Sequence, residues 1–386
     1  MTNANPQVMH LGDVIRFGNG KAIKPGGEGC YPVYGSNGII GGSDEYRYEN
    51  GVIIGRVGAY CGSVEYCPKK FWASDNTLIA FPASEHFDTK FLFYLLIDAK
   101  LSRYAGGAAQ PLVTQTVLKQ VEVTVPSLLV QQRVAGILSA YDDLIGNSQQ
   151  RIRILDAMAR ALYREWFINF RFPFNSKVKL VSSSLGDIPE GWEVKTFGEL
   201  YDTSSGGTPS RKNPEYFNGG SINWVKSQEL VDNFILWTDE CITEDALDNS
   251  SAKSFPENTV LIALYGATIG KLGILAVQAA TNQACCAVLP KNTTFGREFA
   301  FLTLLLNRER IIGLRLGAAQ QNISQVLLRN FECVKPPDTL VVQFNKLAAP
   351  LFDGICALQR QVQNLRGARD LLLPRLLSGQ VNIKGN

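Results

Sequence analysis

Apolar residues recur with 4-3 spacing along two stretches of the chain. The first ladder is Val134, Leu138, Tyr141, Ile145, Ser148, Ile152, Leu155, Ala159, Leu162 and Trp166. The second is Phe344, Ala348, Leu351, Ile355, Leu358, Val362, Leu365, Arg369, Leu372 and Leu376, which is the first displaced by 210 residues. A 4-3 repeat held over four heptads predicts a long helix with one apolar seam, and such a seam needs a cover. Two such helices in one chain cover each other most economically as an antiparallel coiled coil. The same ladders are compatible with helices that only pack, or that dimerise with another chain.

Outside the ladders the chain alternates apolar and polar residues between glycines, as strands and tight turns do, and this part repeats too. Val8-Met9-His10-Leu11-Gly12-Asp13-Val14 resembles Val194-Lys195-Thr196-Phe197-Gly198-Glu199-Leu200 at an offset of 186, and Asn50-Gly51-Val52-Ile53-Ile54 resembles Asn258-Thr259-Val260-Leu261-Ile262 at 208. The second copy therefore carries 22 extra residues between Gly198 and Asn258. Ala73-Ser74-Asp75-Asn76 aligns with Ala280-Thr281-Asn282-Gln283 after one residue of slippage, and Gly107-Ala108-Ala109-Gln110 with Gly317-Ala318-Ala319-Gln320. The expectation is an α+β chain in which two mixed α/β domains are joined by two long antiparallel helices related by a pseudo-two-fold. The domains are set at residues 1–127 and 191–337, the helices at 128–170 and 338–380, and a Ser-, Pro- and Gly-containing linker at 171–190.

Composition adds limits. With 386 residues, 45% of them hydrophobic, the chain can bury more than one core. A net charge of +3 leaves polyanion binding to local clusters of Lys and Arg. Eight cysteines without a C-x-x-C pair and only two histidines argue against a metal site and for reduced, mostly buried thiols. The first residues show no basic region followed by an apolar stretch, so a cytoplasmic location is expected. Leu261 to Ala280 is apolar apart from Lys271, yet its glycines, and Arg56 in its repeat counterpart, read as a buried β-hairpin rather than a membrane span.

No catalytic set and no cofactor site stand out. Asn213-Pro214-Glu215-Tyr216 resembles a methyltransferase base-gripping turn but lacks the parallel sheet such an enzyme needs. Gly266 to Leu272 falls one residue short of a phosphate loop and reads as a hairpin turn. From Val134 to Trp166 the seam spans about 48 Å, roughly 14 base pairs of duplex. Two unlike globules held apart by a two-fold spacer of that length suit an asymmetric, split DNA site.

The order globule, helix, globule, helix resembles the specificity subunit of type I restriction-modification enzymes. The resemblance is carried by Gly206-Gly207-Thr208-Pro209-Ser210 with Tyr216-Phe217 and Ile222-Asn223-Trp224-Val225, by Tyr31-Pro32-Val33-Tyr34-Gly35-Ser36-Asn37-Gly38, and by the helix ends Ala161 to Phe167 and Leu371 to Gly379. It implies a non-catalytic subunit with two target-recognition domains that read a bipartite double-stranded DNA site. It also implies helices that dock two methyltransferase subunits and, for cleavage, motor-endonuclease subunits, so that the assembly would methylate adenine and cut DNA. Two rival classes stay open: a chain with its own methylation or cleavage activity, and a structural dimer without a DNA role.

DNA contacts follow from residue chemistry. A guanidinium can fork onto guanine, and Asn or Gln amides pair with adenine. Arg56 between Gly55 and Gly58 is the leading base reader, its structural alternative being a surface arginine on a tight turn. Tyr34, Ser36 and Asn37 form an expected polar loop tip, with Asn37 also suited to a left-handed turn, and Lys226, Ser227 and Gln228 follow a strand of the second copy. Asn76, Asn282 and Gln283 occupy equivalent places, as do Gln110 and Gln320, the latter beside Gln321 and Asn322; a Gln identical in both copies cannot explain different half-sites, so Gln110 and Gln320 read as phosphate contacts or structural hydrogen-bonders. Lys69, Lys70, Arg211 and Lys212 are candidate phosphate contacts, or simply solvated loop cations.

Overall fold

The computed structural model describes residues 6–24, 26–107, 110–173, 178–314 and 322–381. It divides into two compact units, residues 1–146 with 363–386, and residues 147–362. Both divisions fall inside long helices, a central one at Leu128–Tyr163 and a C-terminal one at Asp338–Leu377. Each unit therefore holds one globule together with segments of both helices.

In the first unit, six strands pair in the order Ile15–Asn19, Thr77–Pro82, Tyr48–Gly55, Val64–Ala73, Tyr31–Gly35 and Gly38–Ser43. A separate antiparallel pair joins Gln7–His10 to Glu122–Val125. Helix Thr89–Asp98 starts where Asp88 caps the Phe91 amide at 2.8 Å, and it buries Phe91, Leu92, Tyr94 and Leu96. The central helix opens after Pro126. There the buried Gln131 side chain donates to the carbonyls of His86 and Pro126 and accepts the Asp88 amide, so no polar atom of that carboxamide is stranded. Val134 and Leu138 then share a core with Leu373, Leu376 and Leu377 of the C-terminal helix. Asp142 accepts Arg369 Nη1 at 2.5 Å and the Tyr94 hydroxyl at 2.6 Å.

The second unit repeats this plan with additions. Its antiparallel pair Glu193–Thr196 with Glu332–Lys335 has the register of the first, Thr196 opposite Glu332 as His10 is opposite Glu122. A five-stranded sheet runs Tyr201–Ser205, Cys285–Pro290, Val260–Ala263, Leu272–Leu275, Asn233–Ile235, and a four-stranded one Cys241–Ile242, Ile222–Val225, Ala279–Thr281, Lys253–Phe255. The extra residues can be placed by the parallel pairs Val33 with Trp72 and Trp224 with Ala280. The offset is 191 at Trp224, against 186 before it and 208 after, so most of the insertion follows Val225. That stretch supplies the edge strand Asn233–Ile235, tied to its neighbour by the Leu272 amide donating to Asp232 at 3.0 Å.

Within this unit Leu155 lies 3.2 Å from where a Gly354 Cβ would stand, and Tyr163, Trp166 and Phe167 pack around Phe344 with ring centroids 5.9, 6.0 and 5.0 Å apart. As residue numbers rise on one helix they fall on the other, so the segments are antiparallel. Every position of both ladders is buried or half-buried. The central helix ends in a π turn at Arg164–Ile168, and Phe167, Phe170 and Phe172 then surround Trp192.

The segment weighed as a membrane span folds as the antiparallel pair Val260–Ala263 and Leu272–Leu275 followed by Ala279–Thr281. No described helix is long and apolar enough to cross a membrane. Cys61, Cys67, Cys285, Cys286 and Cys333 are buried free thiols, and burial pushes those of Cys286 and Cys333 up to about 12. One alignment changes: Ser74 and Asn282 both donate their amides to a neighbouring strand, at Tyr34 and Val225, so the 208 offset continues and the slippage is absent. Gln283 thus stands where Asp75 does, and Ala284 where Asn76 does.

Because Phe344 is fully buried among three rings, Phe344→Ala should cost about 3–5 kcal/mol. Val342→Ala, at a 42% exposed position of the same helix, should cost under about 0.5 kcal/mol. Urea unfolding followed by tryptophan fluorescence checks both.

Candidate nucleic-acid interface

Strand Tyr48–Gly55 delivers Arg56 to one edge of the first unit. Its amide donates to the Asn76 carbonyl at 2.9 Å, and its carbonyl accepts the Val113 amide at 3.0 Å. Ser36 Oγ donates to the same Asn76 carbonyl at 2.6 Å, Ser63 Oγ donates to the Ser36 carbonyl at 2.7 Å, and Gly58 reaches Pro111, beside Gln110. Ser36, Asn37, Arg56, Asn76 and Gln110 are thereby gathered on one edge. Gly55 is required there, since a Cβ would stand 2.5 Å from the Tyr60 carbonyl oxygen. Arg56 Nε is buried without a hydrogen-bond partner among the described residues, which leaves a cation short of acceptors.

Other expected contacts in this unit are corrected. Tyr34 is no loop tip: it lies inside strand Tyr31–Gly35, 8% exposed, edge-on to Phe71 at 5.8 Å. Asn37 does not fill the left-handed turn, because Gly38 takes it with φ of 94°. Lys69 and Lys70 sit on strand Val64–Ala73, where Lys70 is opposite Glu49, while the Arg56 end of that pair has Ile54 opposite Val64. Lys70 covers the Tyr46 ring at 4.3 Å and is not brought to Arg56.

In the second unit Arg211 and Lys226 converge on one carboxylate. Arg211 Nη1 is 2.6 Å and Lys226 Nζ 2.8 Å from Glu240, and the Arg211 guanidinium also lies over Phe217 at 4.2 Å. Hydrogen bonds from Arg211 and then Lys226 hold the Glu240 carboxyl at about 2. One carboxylate offsets only one of these two cations, so the three side chains together keep one positive charge; Lys212 and Gln228 are exposed and Ser227 is half-buried. Asn282 turns its Oδ1 back onto the Ala284 amide at 3.1 Å, a local turn contact. Gln283 is exposed, and its Oε1 accepts the Thr208 hydroxyl. Asn322 is exposed beside it on a cleft of about 800 Å³ that Tyr265 and Ser205 also line. Gln320 and Gln321 lie outside the described residues.

The backbone of this edge is the same in both copies. Leu264 donates to Ala284 at 2.8 Å and accepts from Ile323 at 2.7 Å, as Arg56 does with Asn76 and Val113. A glutamine braces each copy: Gln115 Nε2 donates to Asn19 Oδ1 at 2.8 Å, and Gln325 Nε2 to Ser205 Oγ at 2.9 Å. What differs is the side chains, with Arg56, Val57, Asp75 and Leu112 at the places of Leu264, Tyr265, Gln283 and Asn322. Thr208, Tyr265 and the two bracing glutamines were not anticipated. The offsets of 208 and 210, carried one residue past Arg56 and three past Leu112, would have found Tyr265, Gln115 and Gln325.

Comparison with known proteins agrees with this duplication. The family described as Type I restriction modification DNA specificity domain matches the chain twice, at residues 3–155 and 189–339. The MjaIX type I restriction enzyme specificity subunit of Methanocaldococcus jannaschii is 27% identical over 304 residues, covering 77% of this chain and 70% of that protein. The MjaVIII specificity subunit of the same organism is 25% identical over 406 residues, covering 98% and 93%. A crystal structure of a type I restriction-modification system S subunit from M. genitalium shares the fold, with a TM-score of 0.68 at 16% identity over 98% of this chain and 97% of that one.

Glu240 supplies a test of the ion-pair geometry. Its folded pKa is depressed, so its contribution to stability is complete above the ordinary glutamate pKa of about 4.3 and is lost as pH falls toward 2. In a carboxyl-carbon NMR titration Glu240 should stay flat from pH 7 to 4 and titrate near 2. A midpoint at the ordinary value would mean that Arg211 and Lys226 do not engage it.

Proposed function

This chain belongs to the type I restriction-modification DNA specificity family, and on that premise we propose that it is the sequence-reading subunit of a type I complex and has no catalytic group of its own. Residues 1–127 and 191–337 each read one half of a bipartite, asymmetric site in double-stranded DNA. The helices at 128–170 and 338–380, with the linker at 171–190, set the gap and recruit two methyltransferase subunits, to which motor-endonuclease subunits add for cleavage. The methyl transfer and the cut belong to those partners.

The observation that carries this reading is the edge built alike in both copies and furnished differently. Shared main-chain hydrogen bonds present Arg56 in one copy and Leu264 in the other at matching points. Two readers with one geometry and unlike side chains suit two unlike half-sites separated by a spacer. The antiparallel course of the helix segments within each unit supports the pseudo-two-fold that such a reader needs. Ser36, Asn37, Asn76 and Gln110 join Arg56 as contacts of the first half-site, with Gln283 and Asn322 on the second. Lys212 is placed on phosphate.

Two experiments test it. Arg56→Ala, assembled with methyltransferase subunits and challenged with a site library, should relax preference at one position of one half-site, and an unchanged motif removes Arg56 from the readers. Removing one heptad from each helix in register should shorten the accepted gap by about three base pairs, because seven residues span about 10 Å. Half-sites that changed while the gap did not would defeat the spacer role.

A further inference from the structure

We infer that Gln283 is the residue with which the second globule reads an adenine, and that Thr208 holds its carboxamide in position to do so. This rests on the function proposed above and assigns a base to one place within it.

The argument is one of donors and acceptors. A glutamine side chain has two N–H groups and two oxygen lone pairs. The Thr208 hydroxyl takes one lone pair of Gln283 Oε1. Tyr265 lines the same cleft. The Thr208 bond leaves a second lone pair on Oε1 beside the amide N–H groups, on an exposed side chain at the cleft of about 800 Å³. Adenine in the major groove presents the complement, an N6 donor and an N7 acceptor.

Fixing the amide matters because a free glutamine rotates and can offer its donor and acceptor in either order. Only its oxygen can accept from the Thr208 hydroxyl, so it presents one order only, and the ordering is complete before DNA arrives. The first copy cannot read in this way. Asp75, which has no N–H to offer, stands at the place of Gln283, Val57 at that of Tyr265, and Arg56 at that of Leu264. Matching points on the two edges therefore carry opposite chemistry, a cation in one copy and a pinned amide in the other.

The test uses the full chain assembled with its methyltransferase subunits and sequences the methylated motif for Gln283→Ala, Gln283→Glu and Thr208→Val. Gln283→Ala should relax one adenine of the half-site read by the second globule, with discrimination falling about 5- to 150-fold, the worth of one bidentate pair. Gln283→Glu, which keeps the volume but only accepts, should move the preference at that position toward cytosine. Thr208→Val should give a weaker relaxation at the same position, and the other half-site should not change. Gln283 is exposed, so matched thermal melts are expected. An interrupted motif that survives Gln283→Ala unaltered, or that changes in the other half-site, overturns this assignment alone. A wild-type complex that methylates no interrupted motif overturns the proposed function as well.

Discussion

Neither globule closes its core with its own repeat. In the first unit, Leu373, Leu376 and Leu377, from the helix that follows the second repeat, complete the apolar cluster around Val134 and Leu138. In the second, Ala159, Tyr163, Trp166 and Phe167, from the helix that follows the first repeat, pack with Phe299 and Phe344. Burying side chains of this size contributes about 1.5–3 kcal/mol each, so exchanging helix ends is a large part of what holds each unit together. Within each unit the two helix segments run antiparallel, so the end of one helix lies beside the start of the other.

The seam also shows why the polar members of the ladders are tolerated. Arg369 would weaken a free-standing coil, yet here its guanidinium meets Asp142, which in turn receives the Tyr94 hydroxyl. A half-buried charge with a partner and a further hydrogen bond costs far less than an isolated one. Ser148, likewise on the ladder, is 3% exposed.

Duplication separates what supports reading from what reads. The terminal strand pairs, the brace from Gln115 or Gln325 and the main-chain bonds around Arg56 or Leu264 recur in both copies. These contacts are made largely by backbone, which tolerates exchange of the side chains. The side chains between them are free to diverge, and they have: Arg56 for Leu264, Asp75 for Gln283, Leu112 for Asn322. The insertion after Val225 adds an edge strand to the second copy without disturbing that shared frame.

Periodicity and repetition are properties of the chain itself, so the two helices, the duplication, the α+β class and the hairpin at Val260–Leu275 were legible in residue order. Local spacing decides which side of a helix is apolar, and it needs no knowledge of the partner. The access and charge state of single side chains were not legible. Tyr34 is buried because its strand lies beside Phe71, Arg211 and Lys226 lose their freedom to a Glu240 that approaches from a distant segment, and Gln283 is pinned by a threonine 75 residues away. Strand register, in which a shift of one residue turns a side chain to the opposite face, settles such matters, and register is set by long-range pairing that no window of sequence contains.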